Sequence, residues 1–134
     1  MKKHFTVMHP ASMKPEDWLR FVDLPPFENQ FPKLGLSDAH HRVLEIAIMA
    51  SPKGNPVVPG SGGLRKIRFT TRDSNQGKSG AFRVYYAYLE EFGTVLLIAI
   101  LSKSERADLD RSQLIVIAQY LNQIRILLEK GKIR

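Results

Sequence analysis

The side chains of this sequence best suited to chemistry are basic and lie close together. Between residues 64 and 83 the chain has six cationic side chains and one acidic side chain, that of Asp73. The cations are Arg65, Lys66, Arg68, Arg72, Lys78 and Arg83. The net charge of the 134-residue chain is +7, so this segment holds most of the excess. Such a concentration of positive charge favours an anionic partner: nucleic acid, an acidic protein or a membrane surface.

Two predicted strands arrange these cations. From residue 64 the chain follows a period of two, with Arg65, Ile67 and Phe69 on one face, which predicts a strand. Residues 82–89 predict the return strand of a hairpin. Lys66 and Arg68 share one face of the first strand, and Arg83 and Tyr85 share one face of the second. If the register aligns these faces, they form an open surface suited to a phosphodiester backbone, with Tyr85 stacking on a base or donating a hydrogen bond. An ordinary solvated sheet face fits the same pattern.

Other kinds of chemistry find no support in the residues. The absence of cysteine excludes a disulfide scaffold, a thiolate zinc site and a cysteine nucleophile. Adjacent helical side chains point about 100° apart, so His40 and His41 do not converge on one metal, and we interpret them as a solvated helix start. Gly77-Lys78-Ser79 lacks the earlier glycine and the following helix of a nucleotide-binding P-loop. We therefore expect no metal site and no cofactor.

The predicted elements form one α+β domain at residues 19–134, preceded by an N-terminal extension at 1–18. A short strand at 19–24 comes before a helix that has Ser37 as its N-cap. The apolar stripe expected to face the core of this helix is Ala39, Val43, Ile46, Ala47 and Ala50. The continuous apolar run at 94–101 predicts a central strand covered on both faces. No signal peptide or transmembrane segment is predicted, so we expect a cytoplasmic protein with no membrane partner.

The last predicted helix has more apolar surface than one sheet covers. Asp110 and Gln113 have the spacing of a capping box at its start. Its core-facing stripe is Leu114, Ile117, Ala118, Leu121, Ile124 and Leu128, and further apolar residues off that stripe are Ile115, Val116, Ile126 and Leu127. This excess predicts contact either with another protein chain or with the apolar residues Leu36, Leu44 and Ile48.

Three ordered segments resemble the RelE/ParE toxin superfamily, most closely its HigB-like branch. The first is the glycine-rich loop and basic strand at residues 59–69. The second, at 77–86, is similar to the branch pattern Gly-Lys-x-Gly-Gly-x-Arg-Val-x-Tyr, and the third, at 101–109, to Lys-Asn-Glu-x-x-Asp-Leu. The resemblance extends over about residues 20–128, and the order of the three segments makes it more specific than any one of them.

The resemblance implies a small RelE-like fold, in which helices flank a twisted, mainly antiparallel sheet made of an N-terminal strand and a three-strand meander. It also implies the toxin of a type II toxin–antitoxin pair. Members of the RelE and HigB branches cut messenger RNA in the ribosomal decoding site, and a cognate antitoxin, here expected to be a small helix-turn-helix protein, silences them. The implied activity is that of a metal-independent, ribosome-dependent endoribonuclease, an mRNA interferase. The RNA 2′-hydroxyl attacks the adjacent phosphate, which leaves a 2′,3′-cyclic phosphate and a 5′-hydroxyl.

The resemblance also assigns roles to individual residues. Arg68 and Arg83 would hold the pentavalent phosphorane, while Lys66 would act as general base, because neighbouring cations favour its neutral form. Lys103 would neutralise or protonate the leaving oxygen. The remaining expected contacts are with RNA, through Arg65, Lys78 and Tyr85, and with the antitoxin, through Ile117 and Leu121.

The sequence departs from the branch pattern at three positions. Ala81 replaces the second glycine, Ser104 replaces asparagine, and Asp110 stands where the branch has serine or threonine. A carboxylate near the phosphate path would repel RNA unless Asp110 is turned away as a helix cap. Two alternatives therefore stay open: a noncatalytic ParE-like gyrase inhibitor, and a degenerate member that only binds RNA or the antitoxin.

Overall fold

A mixed sheet with helices on both faces organises the part of the chain that the computed structural model describes, residues 2–5, 18–73, 78–102 and 108–131. These residues form five strands and three α-helices. In chain order they are β1 (Lys2–Phe5), β2 (Arg20–Asp23), α1 (Pro25–Lys33), α2 (Asp38–Ala50), β3 (Leu64–Asp73), β4 (Lys78–Leu89), β5 (Thr94–Ser102) and α3 (Arg111–Glu129). The strand order is β1-β2-β5-β4-β3. Only the β2–β5 pair is parallel among these strands, so the predicted mainly antiparallel α+β sheet is confirmed.

The sheet separates two hydrophobic cores because side chains alternate between its faces. One face packs against α1 and α2, with Phe21, Val84 and Leu97 of the sheet buried against Phe27, Phe31, Leu44 and Ile48 of the helices. The other face packs against α3, with Tyr85, Ala87 and Leu96 buried against Leu121 and Ile124. β5 lies in the middle of the sheet and contributes to both cores, which explains its continuous apolar run.

The N-terminal segment takes part in the sheet. β1 pairs antiparallel with β2, with Lys3 opposite Val22 and Phe5 opposite Arg20. Residues 2–5 therefore add an edge strand to a region that the sequence indicated only as an irregular extension. Residues 6–17 lie outside the described part of the chain.

Of the predicted core-facing stripe of α2, only Ile46 packs against the core, and the prediction is wrong for the other four residues. Ala39, Val43, Ala47 and Ala50 are exposed, and the buried face consists of His41, Leu44, Glu45, Ile48 and Met49. The N-cap is as predicted, because the Ser37 hydroxyl accepts a hydrogen bond from the His40 amide at 3.4 Å. The helix turns Leu44 and Ile48 toward the core because these long side chains bury more apolar area than alanine does. His41 and Glu45 lie on the same face of the helix and are therefore buried as well.

The glycine-rich loop before β3 seats the hairpin against α3. Gly62 and Gly63 have positive φ angles of 72° and 106°, a conformation that glycine adopts without steric cost. A Cβ atom at position 62 would meet the Ala118 backbone and side chain at 3.1 Å. The Arg125 guanidinium donates to the Gly62 carbonyl at 2.9 Å. The loop therefore fixes where β3 begins relative to α3.

Candidate anion-binding site

The register of the β3–β4 hairpin brings the predicted basic residues together. Lys66 pairs with Tyr85, and Arg68 pairs with Arg83, so all four side chains leave the same face of the sheet. This face is the one that packs against α3. The aligned faces expected from the alternating sequence are therefore present.

Arg68 and Arg83 lie directly opposite each other, which is an unfavourable arrangement for the isolated protein. Like charges in this position destabilise a sheet by roughly 0.2–1 kcal/mol. Arg68 is exposed and Arg83 is half-buried, and neither guanidinium has a hydrogen bond or a salt bridge to another described residue. An anion bound between them would relieve the repulsion and accept hydrogen bonds from both.

A cavity of about 360 Å³ opens beside this pair. The described residues that line it are the cations Lys66, Arg68 and Arg83 together with Asn55, Pro56, Ala81 and Phe82. No carboxylate is among these lining residues, so the cavity favours a negatively charged ligand.

Arg65 supports the wall of this cavity from the opposite face of β3. Its guanidinium donates to the carbonyl oxygens of Lys53 and Asn55, at 3.1 and 2.6 Å. The Tyr86 hydroxyl donates to the Pro52 carbonyl at 2.9 Å and accepts from the Asn55 amide at 3.0 Å. Arg65 is therefore committed to holding the loop, and the expected contact of Arg65 with RNA does not fit this arrangement.

Asp108 is the functional group that the sequence reasoning missed. Its carboxylate accepts a hydrogen bond from Lys66 Nζ at 2.9 Å and another from the Tyr85 hydroxyl. Partial burial acts to raise the pKa of Asp108, but the hydrogen bonds from Tyr85 and Lys66 outweigh it and lower the pKa. The signal available in the sequence was the Asp-Leu pair that ends the third segment of resemblance, at Asp108 and Leu109.

Two of the expected roles change because of Asp108. The Tyr85 side chain is completely buried, so its ring has no free face for stacking on a base. Burial together with the hydrogen bond to Asp108 raises the pKa of the Tyr85 hydroxyl. Lys66 forms a salt bridge with Asp108. Lys66 Nζ donates its hydrogen bond to Asp108, whereas a general base must accept a proton from the substrate, so Lys66 can serve as base only after this salt bridge opens.

Of the two other predicted lysines, the structure gives a strand position for one and does not describe the other. Lys78 is the first residue of β4 and pairs with Asp73 at the far end of the hairpin. Lys103 lies outside the described part of the chain. The structure therefore groups Lys66, Arg68 and Arg83, whereas Arg65 is not among the described residues that line the cavity.

Asp110 caps α3. Its carboxylate accepts from the Gln113 amide at 2.9 Å and from the Ser112 hydroxyl at 2.7 Å, and the Gln113 side chain accepts from the Asp110 amide at 3.0 Å. The predicted capping box is confirmed. The carboxylate at position 110 is thus turned toward the positive end of the helix dipole.

The outer face of α3 is apolar, but the residues predicted to contact an antitoxin lie on its inner side. Leu121 is fully buried and Ile117 is half-buried against the α3-side core. The exposed apolar residues are Ile115, Val116, Tyr120, Ile126 and Leu127. Leu36, Leu44 and Ile48 belong to the core on the opposite side of the sheet, so they do not cover this face.

His41 is also placed differently from the prediction. The histidine is buried, with its Nε2 atom 3.0 Å from Asp23 Oδ2 and its Nδ1 atom 3.3 Å from Glu45 Oε2. Burial alone would lower the pKa of His41, but the hydrogen bonds and charges of Asp23 and Glu45 raise it to about 9. His41 is therefore an internal cation that connects α2 to β2, rather than part of a solvated helix start.

Comparison with models of known protein families finds none that matches this chain. Within the described residues, no cluster of three or more histidine and carboxylate side chains is arranged to hold a metal ion. None of the helices in that part of the chain is long and apolar enough to cross a membrane.

Proposed function

We propose that this protein is the toxin of a type II toxin–antitoxin pair and cleaves messenger RNA on the ribosome. The observation that carries the proposal is the unbalanced pair Arg68 and Arg83, which lines a cavity together with Lys66. Three cations around one cavity suit a phosphate that gains negative charge during the reaction. The ordered resemblance to the HigB-like branch supplies the reaction class, and a ribosomal substrate places the activity in the cytoplasm.

The proposed reaction uses the RNA as its own nucleophile. The 2′-hydroxyl oxygen forms a bond to the adjacent phosphorus while its proton passes to a base. The bond from phosphorus to the 5′-oxygen then breaks, and that oxygen takes up a proton. Arg68 and Arg83 neutralise the additional charge on the non-bridging oxygens, which makes their contribution largest in the transition state.

Lys66 is the described residue best placed to take part in proton transfer. It lines the cavity, and opening of the salt bridge to Asp108 frees its ammonium group to hold the phosphate. The amine that takes the 2′-hydroxyl proton forms when this group releases a proton to solvent. Lys103, which comes from the segment between β5 and α3, is the proposed donor to the leaving oxygen.

The proposed antitoxin contacts the outer face of α3 rather than Ile117 and Leu121. Val116, Tyr120, Gln123 and Leu127 recur at spacings of four, three and four, the spacing at which two helices pack against each other. The three apolar members of this set are exposed, and each lies 40% or more open to solvent. An amphipathic helix of the antitoxin would cover this face.

A second function is favoured by one observation, the salt bridge between Lys66 and Asp108. If that salt bridge stays closed when RNA binds, two arginines hold the phosphate but no base is available. The protein would then bind RNA, and its antitoxin, without cleaving RNA.

Mapping of transcript 5′ ends after induction in bacteria tests the proposed function. We expect new 5′ ends within translated codons in cells that produce the wild-type protein, and none above background in cells that produce Arg83→Ala. Lys33→Ala is a suitable control, because Lys33 is an exposed lysine at the end of α1, on the other side of the sheet. It should cut as the wild type does.

The outcomes separate the competing functions. Intact transcripts together with a DNA-damage response would contradict the nuclease and indicate a gyrase inhibitor. Intact transcripts without DNA damage, in cells where the protein co-purifies with ribosomes, would indicate the noncatalytic RNA-binding function. Cleavage of free RNA by the purified protein, at the rate seen on ribosomes, would contradict the dependence on the decoding site.

A further inference from the structure

Asp108 lies at the rim of the cation cluster and contacts two residues of the hairpin. Its carboxylate receives hydrogen bonds from Lys66 Nζ and from the buried Tyr85 hydroxyl. Tyr85 is fixed by the α3-side core, so it anchors one oxygen of Asp108 while the other oxygen holds Lys66. Asp108 is therefore held in a defined position by a rigid residue.

Lys66 is shared between Asp108 and the cavity. It lines the cavity together with Arg68 and Arg83, whereas Asp108 does not belong to the lining. The Lys66 side chain is 33% exposed and that of Asp108 is 47% exposed. Salt bridges this open to solvent contribute little to stability, so a phosphate in the cavity is able to compete for the lysine.

We propose that Asp108 is an internal competitor of the RNA phosphate for Lys66. With the salt bridge closed, two cations face the cavity without a carboxylate partner. When a phosphate binds, Lys66 leaves Asp108 and becomes the third cation. This inference rests on the proposed function, since it takes the backbone of single-stranded RNA to be the ligand, and it adds a control on how strongly that ligand is held.

The competition predicts a specific change in the salt dependence of binding. In the wild type, the Asp108 carboxylate that Lys66 leaves takes up a salt cation when RNA binds, which offsets one counterion released from RNA. Asp108→Asn has no carboxylate at this position, so the full release of counterions is observed. For single strands each contact between a cation and a phosphate adds about 0.7 to the slope of log affinity against log salt. Between about 50 and about 200 mM salt, the affinity of the variant should therefore fall by about threefold more than that of the wild type.

The experiment measures binding of a fluorescent poly-uridine oligonucleotide to the purified full-length proteins over this salt range. Asp110→Asn is a matched control: it makes the same change in net charge, and asparagine is an equally good N-cap for α3. Asp110→Asn should keep the wild-type slope. In a Lys66→Gln background, Asp108→Asn should leave the slope unchanged, because the competition acts through Lys66.

An unchanged or shallower slope in Asp108→Asn would overturn the inference, as would an equal change in the Lys66→Gln background. If Asp108→Asn does not fold, as judged by thermal unfolding, Asp108→Ser tests the same removal of charge. The proposed function fails separately: a steeper slope in Asp108→Asn, from a protein that leaves transcripts intact, would support the competition and contradict only the nuclease.

Discussion

Two clusters of charged side chains on opposite faces of the sheet have opposite balances of charge. On the face covered by α1 and α2, the cation His41 is buried between the carboxylates of Asp23 and Glu45. On the face covered by α3, the cluster of Lys66, Arg68 and Arg83 has one described carboxylate partner, Asp108, which contacts Lys66. Counted over the residues that the structure describes, the first cluster is closed and has two carboxylates to one cation, while the second is open to a cavity and has three cations to one carboxylate.

The difference in charge balance and burial indicates that the closed cluster stabilises the fold and that the open cluster binds a ligand. Removing His41 from the buried cluster leaves the carboxylates of Asp23 and Glu45 without the cation between them, where water cannot reach them. The open cluster instead contains a repulsive arginine pair that costs stability unless an anion binds. Strongly unbalanced charge beside a cavity is typical of functional sites.

The largest expected effect of a substitution on stability is in the closed cluster. His41→Ala should lower the free energy of unfolding by about 3–5 kcal/mol, because it removes the cation that lies between the buried carboxylates of Asp23 and Glu45. Lys66→Ala, which removes a partly exposed ion pair, should cost no more than about 1 kcal/mol. Urea denaturation at neutral pH measures both. Equal losses in the two variants would contradict the distinction between the clusters.

The closed cluster should also make stability depend on pH. The folded-state pKa of His41 is raised to about 9 from the ordinary 6.5, so the charged imidazole stabilises the fold fully below about pH 6.5 and progressively less as the pH rises through 9. The total loss is up to about 3 kcal/mol. Thermal and urea unfolding between about pH 6 and pH 10 should show this decline, and His41→Gln should flatten it. A wild-type stability that rises over this range would contradict the assignment.

Arg65 should contribute to the stability of the fold, as the closed cluster does, although it is adjacent in sequence to Lys66 of the open cluster. Its guanidinium donates to the carbonyls of Lys53 and Asn55, and charge-assisted hydrogen bonds of this kind contribute about 1.5–3 kcal/mol each. Arg65→Ala should therefore lower the free energy of unfolding by about 1–3 kcal/mol. Urea denaturation measures the effect. A variant as stable as the wild type would show that the loop does not depend on Arg65.

The smallest expected effect has the opposite sign. Arg68→Thr removes the repulsion with Arg83 and places a good strand former in β3, so it should raise the free energy of unfolding by about 0.2–1 kcal/mol. The gain should shrink in about 1 M salt, where charges are screened beyond about 3 Å. Denaturation at low and high salt measures the difference. Destabilisation at low salt would mean that the arginine pair is not strained.

The convergence of Lys66, Arg68 and Arg83 could be predicted because it depends on local rules. Alternation fixes which residues share a strand face, and a hairpin pairs neighbouring strands in sequence. The central position of β5 followed from its apolar run in the same way. The capping residues Ser37 and Asp110 were readable because a cap depends on only three or four successive residues.

The contacts that the sequence did not reveal join distant segments. Asp108 meets Lys66 across 42 positions of the chain, and Arg65 meets the carbonyl of Asn55 from the opposite face of β3. The buried face of α2 was misread because alanine spacing outweighed Leu44 and Ile48, and because no local pattern indicates that His41 will find Asp23 on β2. Each of these required the relative placement of two elements, which periodicity does not contain.

The most direct test compares the cleavage rate of Arg83→Ala with that of the wild type on ribosomes programmed with a defined messenger RNA. The wild-type protein should cut within a codon at the decoding site and leave a 2′,3′-cyclic phosphate. Arg83→Ala should cut at least about 100-fold more slowly, since it removes a cation that stabilises the transition state. It should unfold at or above the wild-type temperature, since it also removes the repulsion with Arg68. Cleavage by folded Arg83→Ala at the wild-type rate would contradict the assignment of the unbalanced cluster as the catalytic site.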